Sequence, residues 1–234
     1  RLSVYRSHLS LHRLRRKRTC VFFGNMSLLG MARTRPRSFA GRLIRWTLRN
    51  ADLLVGTSAE ICGTLQGLGA AGERVRHIPG FLLPRGEVDR AVVDSAIQEF
   101  CSTHGPLLLA MAKLTRNQEG QSVYGVDLLL DMMAKLRPAF PKVGLLLLVP
   151  YDHDLVAEKW PRLQHEVKVR KLGGVVYPYL MSEEMFPLLR HVDVYVRPTR
   201  TEGDANSVRE AMYLGTPVVA SDCAARPDGV VTFS

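Results

Sequence analysis

The chain has 234 residues, 46% of them hydrophobic and 23% charged, which is an ordinary globular composition with enough apolar side chains for one large or two small cores. It excludes collagen, low-complexity disorder and a disulfide-stapled mini-protein. The formal net charge of +10 is unevenly distributed: residues 1–50 hold 13 of the 32 basic residues and no acidic one, whereas residues 51–234 sum to −3. The basic segment predicts an anionic partner, either a nucleic acid, a membrane surface or an acidic substrate.

The four cysteines indicate free thiols, because none of them forms a C-x-x-C pair. Cys101 and His104 have a C-x-x-H spacing, but no second pair of ligands follows at the distance of a zinc finger. Reduced cysteines are typical of a cytosolic protein. No apolar run approaches the roughly 20 residues that span a bilayer.

Strand and helix patterns alternate in the first part of the chain. They predict a helix over Leu43–Asn50, and a second helix that begins at a capping box, Thr57–Glu60, and ends before Gly69. Three short strands accompany these helices: Cys20–Gly24, Asp52–Gly56 and Val75–Ile78. This succession is the pattern of a layered α/β domain.

Residues 85–105 form a predicted linker that contains a connecting helix over Val88–Phe100. A second α/β series follows, with five strands and four helices that alternate. The strands are Leu107–Met111, Val143–Val149, Val175–Tyr177, Val192–Val196 and Pro217–Ala220, and the helices are Val126–Leu136, Asp154–Glu166 with a restart at Pro161, Ser182–Leu189 and Ser207–Leu214. Right-handed crossovers make this series a doubly wound parallel sheet.

The richest candidate site is the loop at 197–206, between a strand and a helix. Ligands of such sheets bind outside the carboxyl ends of the strands, at helix N-termini. Gly203 permits a close backbone approach, and either Asp204 or Asn206 caps the helix. An anion would then face free N–H groups with the helix dipole behind them; those groups belong to Asn206, Ser207 and Val208.

Glu202 lies on this loop and Glu210 one turn into the helix, so the two carboxylates can contact different parts of one elongated ligand. The spacing itself is weak evidence, because Glu158 and Glu166 are also eight residues apart. That second pair has Pro161 between its members and lacks the succession of strand, loop and helix. The context, and not the spacing, favours Glu202 and Glu210.

The segment EGDANSVREAMYLGTPVVASD, Glu202–Asp222, resembles the signature of family 4 glycosyltransferases, which have the GT-B fold of two facing Rossmann-like domains. Ala51–Gly80 resembles the end of the family's N-terminal domain. Tyr124–Val149 resembles the first helix and the second strand of its C-terminal domain. The resemblance covers roughly residues 51–222.

This resemblance implies an α/β, GT-B-like fold in two parts. Residues 1–84 would be the remnant of an acceptor-side N-terminal domain, and residues 85–105 the linker. Residues 106–234 would be a nearly complete C-terminal domain that binds the nucleotide-sugar. The chain begins at Arg1 and stops soon after a strand-like segment, so both ends are expected to be cut.

The resemblance also implies roles for the matched residues. Glu202 is the catalytic residue, lying by the donor sugar and assisting at the anomeric centre, while Glu210 accepts hydrogen bonds from the ribose hydroxyls. The backbone around the loop holds the sugar and the diphosphate. The expected donor-binding residues are Lys113, Arg116, Gly203, Asp204, Asn206, Ser207, Val208 and Glu210.

The chain departs from the family pattern where the diphosphate is neutralised. The family places Arg and Lys in a G-R-L…K-G segment, but here Lys113 replaces the arginine and Tyr124 stands where the lysine is expected. Arg116 can supply the missing cation; a solvated surface position is the alternative for Lys113 and Arg116 alike. Arg197 and Arg200 flank Glu202 and bind either phosphate or acceptor, or form structural ion pairs.

The function implied is transfer of a sugar from a nucleotide-diphosphate-sugar to an acceptor hydroxyl, with retention and without a metal or other cofactor. The acceptor would be a glycan or a lipid-linked molecule of polysaccharide or glycolipid biosynthesis. The protein would be cytoplasmic and peripheral at an anionic membrane through residues 1–50, with no nucleic acid expected.

Three alternatives stay open at this point. A nucleotide-sugar epimerase shares the fold, although its acid/base set is not evident in this sequence. A basic, non-enzymatic fragment that binds nucleic acid or a membrane is a second, but residues 1–50 have no recognition motif and few aromatic residues. A fragment that is inactive on its own is the third.

Overall fold

The structure is a computed structural model that describes residues 18–24, 27–81, 94–117, 119–151, 153–181, 185–202 and 205–234. The chain divides into two compact units, Arg1–Gly80 and Phe81–Ser234. A helix, α4 (Ser95–Thr103), occupies the second half of the predicted linker. The domain limits at residues 84 and 105 stay predictions.

The first unit contains a parallel three-stranded sheet in the order β1-β2-β3, with strands β1 (Cys20–Phe23), β2 (Leu53–Gly56) and β3 (Val75–His77). Its helices are α1 (Ser27–Thr34), α2 (Phe39–Asn50) and α3 (Ala59–Gly67). Apolar residues from the helices and from the sheet form one core, among them Leu29, Ile44, Leu48, Leu54, Ile61 and Leu65. Burial of these side chains is the main force that holds so small a unit together.

Two helix starts in this unit differ from the prediction. Helix α2 begins four residues early, because the hydroxyl of Ser38 accepts a hydrogen bond from the Gly41 N–H at 3.1 Å and caps the helix there. Helix α3 is capped by Ser58, which accepts from the Ile61 N–H at 3.2 Å, and not by Thr57. Helix α1 was not predicted at all.

The second unit is a six-stranded parallel sheet in the order β6-β5-β4-β7-β8-β9. The strands are β4 (Leu107–Met111), β5 (Gly144–Pro150), β6 (Val176–Met181), β7 (Val194–Arg197), β8 (Val218–Ser221) and β9 (Val231–Phe233). The helices after α4 are α5 (Val126–Leu136), α6 (His153–Val169), α7 (Phe186–Leu189) and α8 (Asn206–Tyr213). Two apolar clusters cover the sheet, and their members alternate along β4 and β5, as expected of strands buried on both faces.

The strand-like segment near the end of the sequence, Val230–Phe233, forms a sixth strand beside the five of the predicted series, since β9 pairs in parallel with β8 at the sheet edge. The predicted restart at Pro161 was also wrong, because α6 continues through that residue. The predicted start of the third helix, at Ser182, lies outside the described residues.

The strand order creates one crevice. The chain enters the sheet at β4, moves outward to β6, then returns to β7 on the other side of β4 and moves outward again. Neighbouring crossovers therefore leave in opposite directions at the carboxyl ends of β4 and β7, which is the switch point where doubly wound sheets bind ligands. The loops that follow these two strands are called here the β4 loop, residues 112–125, and the β7 loop, residues 198–205.

Candidate functional site

Arg197, the last residue of β7, ties the two loops together at the switch point. Its Nη1 donates a hydrogen bond to the carbonyl oxygen of Met111, the last residue of β4, at 3.2 Å. Its guanidinium carbon lies 4.9 Å from the centre of the Tyr124 ring, in the range of a cation–π contact. The tyrosine that stands in place of an expected lysine thus supports an arginine from the neighbouring strand.

A glycine at the end of the β4 loop allows the loops to touch. Gly125 has a φ of +66° and precedes helix α5. A Cβ at this position would lie 2.0 Å from the carbonyl oxygen of Pro198 in the β7 loop. Both the left-handed backbone and the close approach therefore require glycine.

Arg200 fastens the middle of the β7 loop to the start of α5. Its two terminal nitrogens donate to the two carboxylate oxygens of Asp127 at 2.8 and 2.7 Å, and Nη1 also donates to the Ser122 carbonyl at 2.8 Å. Burial alone would raise the pKa of Asp127, but the hydrogen bonds and charge of Arg200 hold it below its ordinary value. Of the two roles open for Arg200, the structure shows the ion pair.

Glu202 lies at the centre of a buried network with two arginines. Its Oε1 accepts hydrogen bonds from Nε of Arg197 at 3.0 Å and from Nη2 of the same residue. Its Oε2 accepts from Nη1 of Arg226 at 2.7 Å and from the hydroxyl of Thr199 at 3.2 Å. The side chains of Arg197 and Glu202 each expose 7% of their surface, and that of Arg226 exposes 4%. We call Arg197, Glu202 and Arg226 the buried triad.

The buried triad keeps Glu202 ionised. Burial alone would raise the pKa of its carboxyl group, but hydrogen bonds and charges from Arg197 and Arg226 outweigh burial and hold the pKa below its ordinary value. The triad has two positive charges for one negative charge, so it leaves an excess of one positive charge at the carboxyl edge of the sheet. A phosphate group is the kind of ligand that such an excess favours.

Helix α8 begins beside the triad, and no side chain of the described residues caps it. Its N-cap residue is Ala205, so Asn206, one of the two predicted caps, is instead the first helical residue. The Val208 N–H donates to the Ala205 carbonyl at 3.0 Å and is not free for a ligand, which corrects a second expectation. Ser207 and Val208 are buried, whereas Asn206 is exposed. Gly203 and Asp204 lie outside the described residues.

The remaining predicted donor-binding residues that the structure describes lie on the β4 loop and on α8. Lys113 and Arg116 are exposed on the β4 loop, and Nη1 of Arg116 donates to the carbonyl of Gly120 in the same loop at 2.6 Å. Glu210 is half-buried one turn into α8. The structure thus gathers Glu202 and Arg197 into one network, while Arg116 is held by its own loop.

Sequence reasoning missed Arg226, which lies in the loop between β8 and β9. Its Nε donates to the carbonyl of Ser221, the last residue of β8, at 2.8 Å. The sequence signal was slight: an arginine soon after a strand on the ligand side, 24 residues from its partner glutamate. Thr199 was missed as well, because a loop threonine carries no pattern.

A tyrosine of β7 is a further buried polar group near the triad. Tyr195 is fully buried, and its hydroxyl has no hydrogen-bond partner among the residues that the structure describes. Burial raises the pKa of this phenol. Within the same described part of the chain, no group of three or more His, Cys, Asp or Glu side chains could hold a metal ion, and no helix is long and apolar enough to cross a bilayer.

Comparison with known proteins places this site in a family context. A family model described as glycosyl transferases group 1 matches residues 105–232. No curated protein matches the chain. The family match covers β4 to β9 and therefore both loops and the buried triad.

Solved structures resemble the whole fold at low sequence identity. HepE from Anabaena in complex with UDP aligns with a TM-score of 0.70 and 14% identity, covering 95% of this chain and 60% of that one. A UDP-forming trehalose-phosphate synthase from Burkholderia xenovorans aligns at 0.68 and 13%, with coverages of 95% and 58%. Sucrose-phosphate synthase from Thermosynechococcus elongatus aligns at 0.61 and 23%, with 89% and 52%. These identities show a shared fold, and the chain spans about 60% of the HepE chain.

Proposed function

Because the chain belongs to the family of glycosyl transferases group 1 and has a GT-B-like fold, we propose that it moves a sugar from a nucleotide-diphosphate-sugar to an acceptor hydroxyl, with retention of the anomeric configuration. The observation that carries this proposal is the switch point of the second sheet. There a carboxylate held ionised, an excess of one positive charge and an uncapped helix start lie at one edge. A diphosphate presents the negative charge that a helix start at this edge would bind.

The proposed roles follow from this arrangement. The amide groups at the start of α8 would stabilise the diphosphate as it departs, because fixed dipoles in a dry site need not reorganise. Glu202 would face the donor sugar as a carboxylate, and Glu210 would accept hydrogen bonds from the ribose. Lys113 and Arg116 would supply cations in place of a metal ion, so transfer would not need one.

Among the nucleotide-sugars, UDP-sugars are the first donors that we propose to test. The Anabaena structures contain UDP and UDP-glucose, and a trehalose-6-phosphate structure from Escherichia coli contains UDP-2-fluoro glucose. The shared fold makes these nucleotides the first probes for this chain. It does not select the sugar, and GDP- and ADP-sugars belong in the same screen.

A thermal-shift screen of the full-length protein tests the proposal. A donor that binds the native state raises the melting temperature in a dose-dependent way. At 100 times its Kd, it adds about 2.7 kcal/mol to the free energy of unfolding. Glu210→Ala should weaken the shift, and Glu158→Ala, a surface glutamate, serves as the matched control. A protein that no nucleotide-sugar stabilises would refute donor binding.

An incubation of the donor without acceptor separates the epimerase alternative. A transferase leaves the sugar of the donor unchanged, apart from slow hydrolysis, whereas an epimerase converts it into its epimer. Chromatography of the recovered nucleotide-sugar distinguishes the two outcomes. A new epimer that forms at a catalytic rate would replace the transferase proposal with the epimerase one.

We further propose that the acceptor is a glycan or a lipid-linked molecule, reached at the cytoplasmic face of an anionic membrane. Helix α2 supports this proposal. Its buried side is formed by Gly41, Ile44 and Leu48, while the opposite stripe repeats at helical spacing and is exposed: Phe39, Arg42, Trp46 and Arg49. Exposed aromatic residues among arginines fit the interface of an anionic bilayer, where rings insert and guanidinium groups meet headgroups.

Vesicle sedimentation tests the membrane proposal without any assumption about the reaction. The full-length protein should co-sediment with phosphatidylglycerol vesicles and much less with phosphatidylcholine vesicles. The double variant Arg42→Glu/Arg49→Glu should lose this preference, while Arg162→Glu on α6 of the second unit should keep it. Equal binding to both vesicles would refute an electrostatic contact, and tight, steeply salt-dependent binding to RNA or DNA instead would favour the nucleic-acid alternative.

A further inference from the structure

We propose that Arg226 is a positioning residue for sugar transfer, which holds the carboxylate of Glu202 in one orientation at the switch point. This role rests on the proposed function and deepens it. Nothing in the sequence pattern or in the family resemblance assigns a role to Arg226.

The contacts of Arg226 form a bridge from a strand end to the carboxylate. Its Nη1 donates to Oε2 of Glu202 at 2.7 Å, and its Nε donates to the Ser221 carbonyl at 2.8 Å. Ser221 ends β8, and its hydroxyl in turn donates to the Thr199 carbonyl at 2.5 Å in the β7 loop. Arg226 therefore fixes Glu202 relative to β8, as Arg197 fixes it relative to β7 and β4.

Burial makes this bridge rigid. Each carboxylate oxygen of Glu202 already accepts two hydrogen bonds, and the three side chains of the buried triad are shielded from water. A buried guanidinium that left its carboxylate would be desolvated without compensation, so the pairing persists. All three nitrogens of Arg226 have protein partners, the third donating to the hydroxyl of Ser221 at 3.4 Å. Arg226 thus acts through Glu202 and not on the donor.

The stoichiometry of the buried triad sets the expected size of the effect. Without Arg226, Glu202 still has Arg197, and the network becomes a neutral pair. Without Glu202, two buried cations face each other. Loss of Arg226 should therefore impair transfer less than loss of Glu202, and the two losses should not add, since one residue acts through the other.

Among the residues that the structure describes, few charged and titratable groups face Glu202, which makes its ionisation a readout. Arg197 and Tyr195 face it from β7 and Arg226 from the loop after β8. The hydroxyl of Thr199 contacts it from the β7 loop, and the thiol of Cys223 lies 3.6 Å from that hydroxyl. Removal of the Arg226 charge should raise the pH at which transfer is lost on the acid side, whereas a purely structural defect would lower activity equally at every pH.

The experiment measures kcat, KM for UDP-glucose and the pH profile of kcat in the full-length protein. The variants are Arg226→Met, Arg226→Lys, Glu202→Gln and the double variant Glu202→Gln/Arg226→Met. The matched control is Arg170→Met, which removes an arginine that also bridges two elements through carboxylates. If the screen identifies another nucleotide-sugar, that donor replaces UDP-glucose.

In Arg226→Met we expect kcat to fall about 10- to 100-fold with a small change in KM, the pattern of an interaction made in the transition state. The acid limb of its profile should move to higher pH, and Arg226→Lys should recover part of kcat. In the Glu202→Gln background, Arg226→Met should cost less than about threefold further.

Three outcomes would overturn the proposal: a normal kcat in Arg226→Met, an unchanged acid limb, or effects that simply multiply in the double variant. Should Arg226→Met fail to fold, Arg226→Lys alone and in the Glu202→Gln background decides by the same criteria. A wild-type protein that binds no donor and transfers no sugar refutes the proposed function itself. A wild-type protein that transfers sugar, with variants that behave as in the three outcomes above, refutes only the role of Arg226.

Discussion

The described residues of the second unit form two three-membered ion networks of inverse charge, and these networks differ in where they lie. The buried triad has one carboxylate between two guanidinium groups at the carboxyl edge of the sheet. The other network has one guanidinium, Arg170, between the carboxylates of Asp131 on α5 and Glu166 on α6, and it lies on the outside of the helices. We call this second network the surface triad.

The comparison shows that pairing chemistry does not by itself identify a functional carboxylate. Glu166 and Glu202 both contact arginine, and both belong to a pair of glutamates eight residues apart. Glu166 lies in water-screened surroundings on a continuous helix, where such a contact contributes little. Glu202 lies in a dry site at a strand end, where the same contact fixes a charge.

Glu202→Ala should give the largest effect. It leaves Arg197 and Arg226 buried without their counter-ion, which costs about 3–5 kcal/mol of unfolding free energy when one partner of a buried pair is removed. Sugar transfer should be abolished as well. Urea unfolding and a transfer assay measure the two effects, and Glu166→Ala in the surface triad is the control. Near wild-type turnover in Glu202→Ala would contradict the assignment of the site.

The acid dependence of stability should follow the same carboxylate. The pKa of Glu202 in the folded state lies below its ordinary value of 4.5, so the unfolded state takes up the proton first. The contribution of the buried triad is therefore complete above the ordinary pKa and is lost as the pH falls through the lowered one. Unfolding curves between pH 7 and pH 3 measure it. Glu202→Gln should flatten this dependence, and an unchanged slope would count against the triad.

Gly125→Ala should be the next largest effect. A non-glycine residue in the left-handed region costs about 1–2 kcal/mol, and here the new Cβ must also displace the carbonyl of Pro198. Gly120→Ala is the matched control, because Gly120 has a φ of +78° and no described atom within 4 Å of an added Cβ. Only Gly125→Ala should also weaken donor binding. Equal losses in the two variants would mean that the backbone strain, and not the contact between loops, sets the cost.

Arg200→Met should have a moderate effect. It removes a bidentate pair with Asp127 that is partly exposed to water, so the loss of unfolding free energy should be about 1 kcal/mol or less after screening by solvent. The lowered pKa of Asp127 should return toward its ordinary value, which NMR titration detects. A loss as large as that of Glu202→Ala would show that exposure does not separate the two kinds of pair.

Arg170→Met should give the smallest effect. The surface triad is half exposed, and we expect a change of about 0.5 kcal/mol or less in unfolding free energy, falling further at high salt. Donor binding should stay at the wild-type level. Thermal unfolding at low and high salt measures the change, and a larger loss that salt does not reduce would contradict the surface assignment.

The fold was predictable where local patterns carry it. The apolar run over Val143–Val149 predicted β5. The succession of strand, loop and helix predicted the position of the β7 loop and of Glu202. The restart predicted at Pro161 was wrong because this proline lies inside one long helix, where tertiary packing overrides the local preference of a single residue. Helix α1 was not predicted because glycine and arginine interrupt the apolar residues of its sequence.

The partners of Glu202 were beyond the reach of pattern analysis. Arg197 was noted, but whether it binds a ligand or a carboxylate depends on where Glu202 turns, which the spacing of five residues does not fix. Arg226 is brought to Glu202 by β8 and the loop after it, so only the folded sheet places them together. Lys113 and Arg116 stay predictions as donor-binding residues.

The strand order has a consequence for how the protein folds. The hydrogen bond between Arg197 and Met111 closes a separation of 86 residues, because β7 reaches β4 only after β5, β6 and their helices have been laid down on the other side. Contacts between such distant segments carry a large entropic cost of closure and are made late. The scaffold of β4 to β6 can therefore become ordered before the two loops meet. In a chain in translation, the crevice can form only once β7 and β8 have left the ribosome.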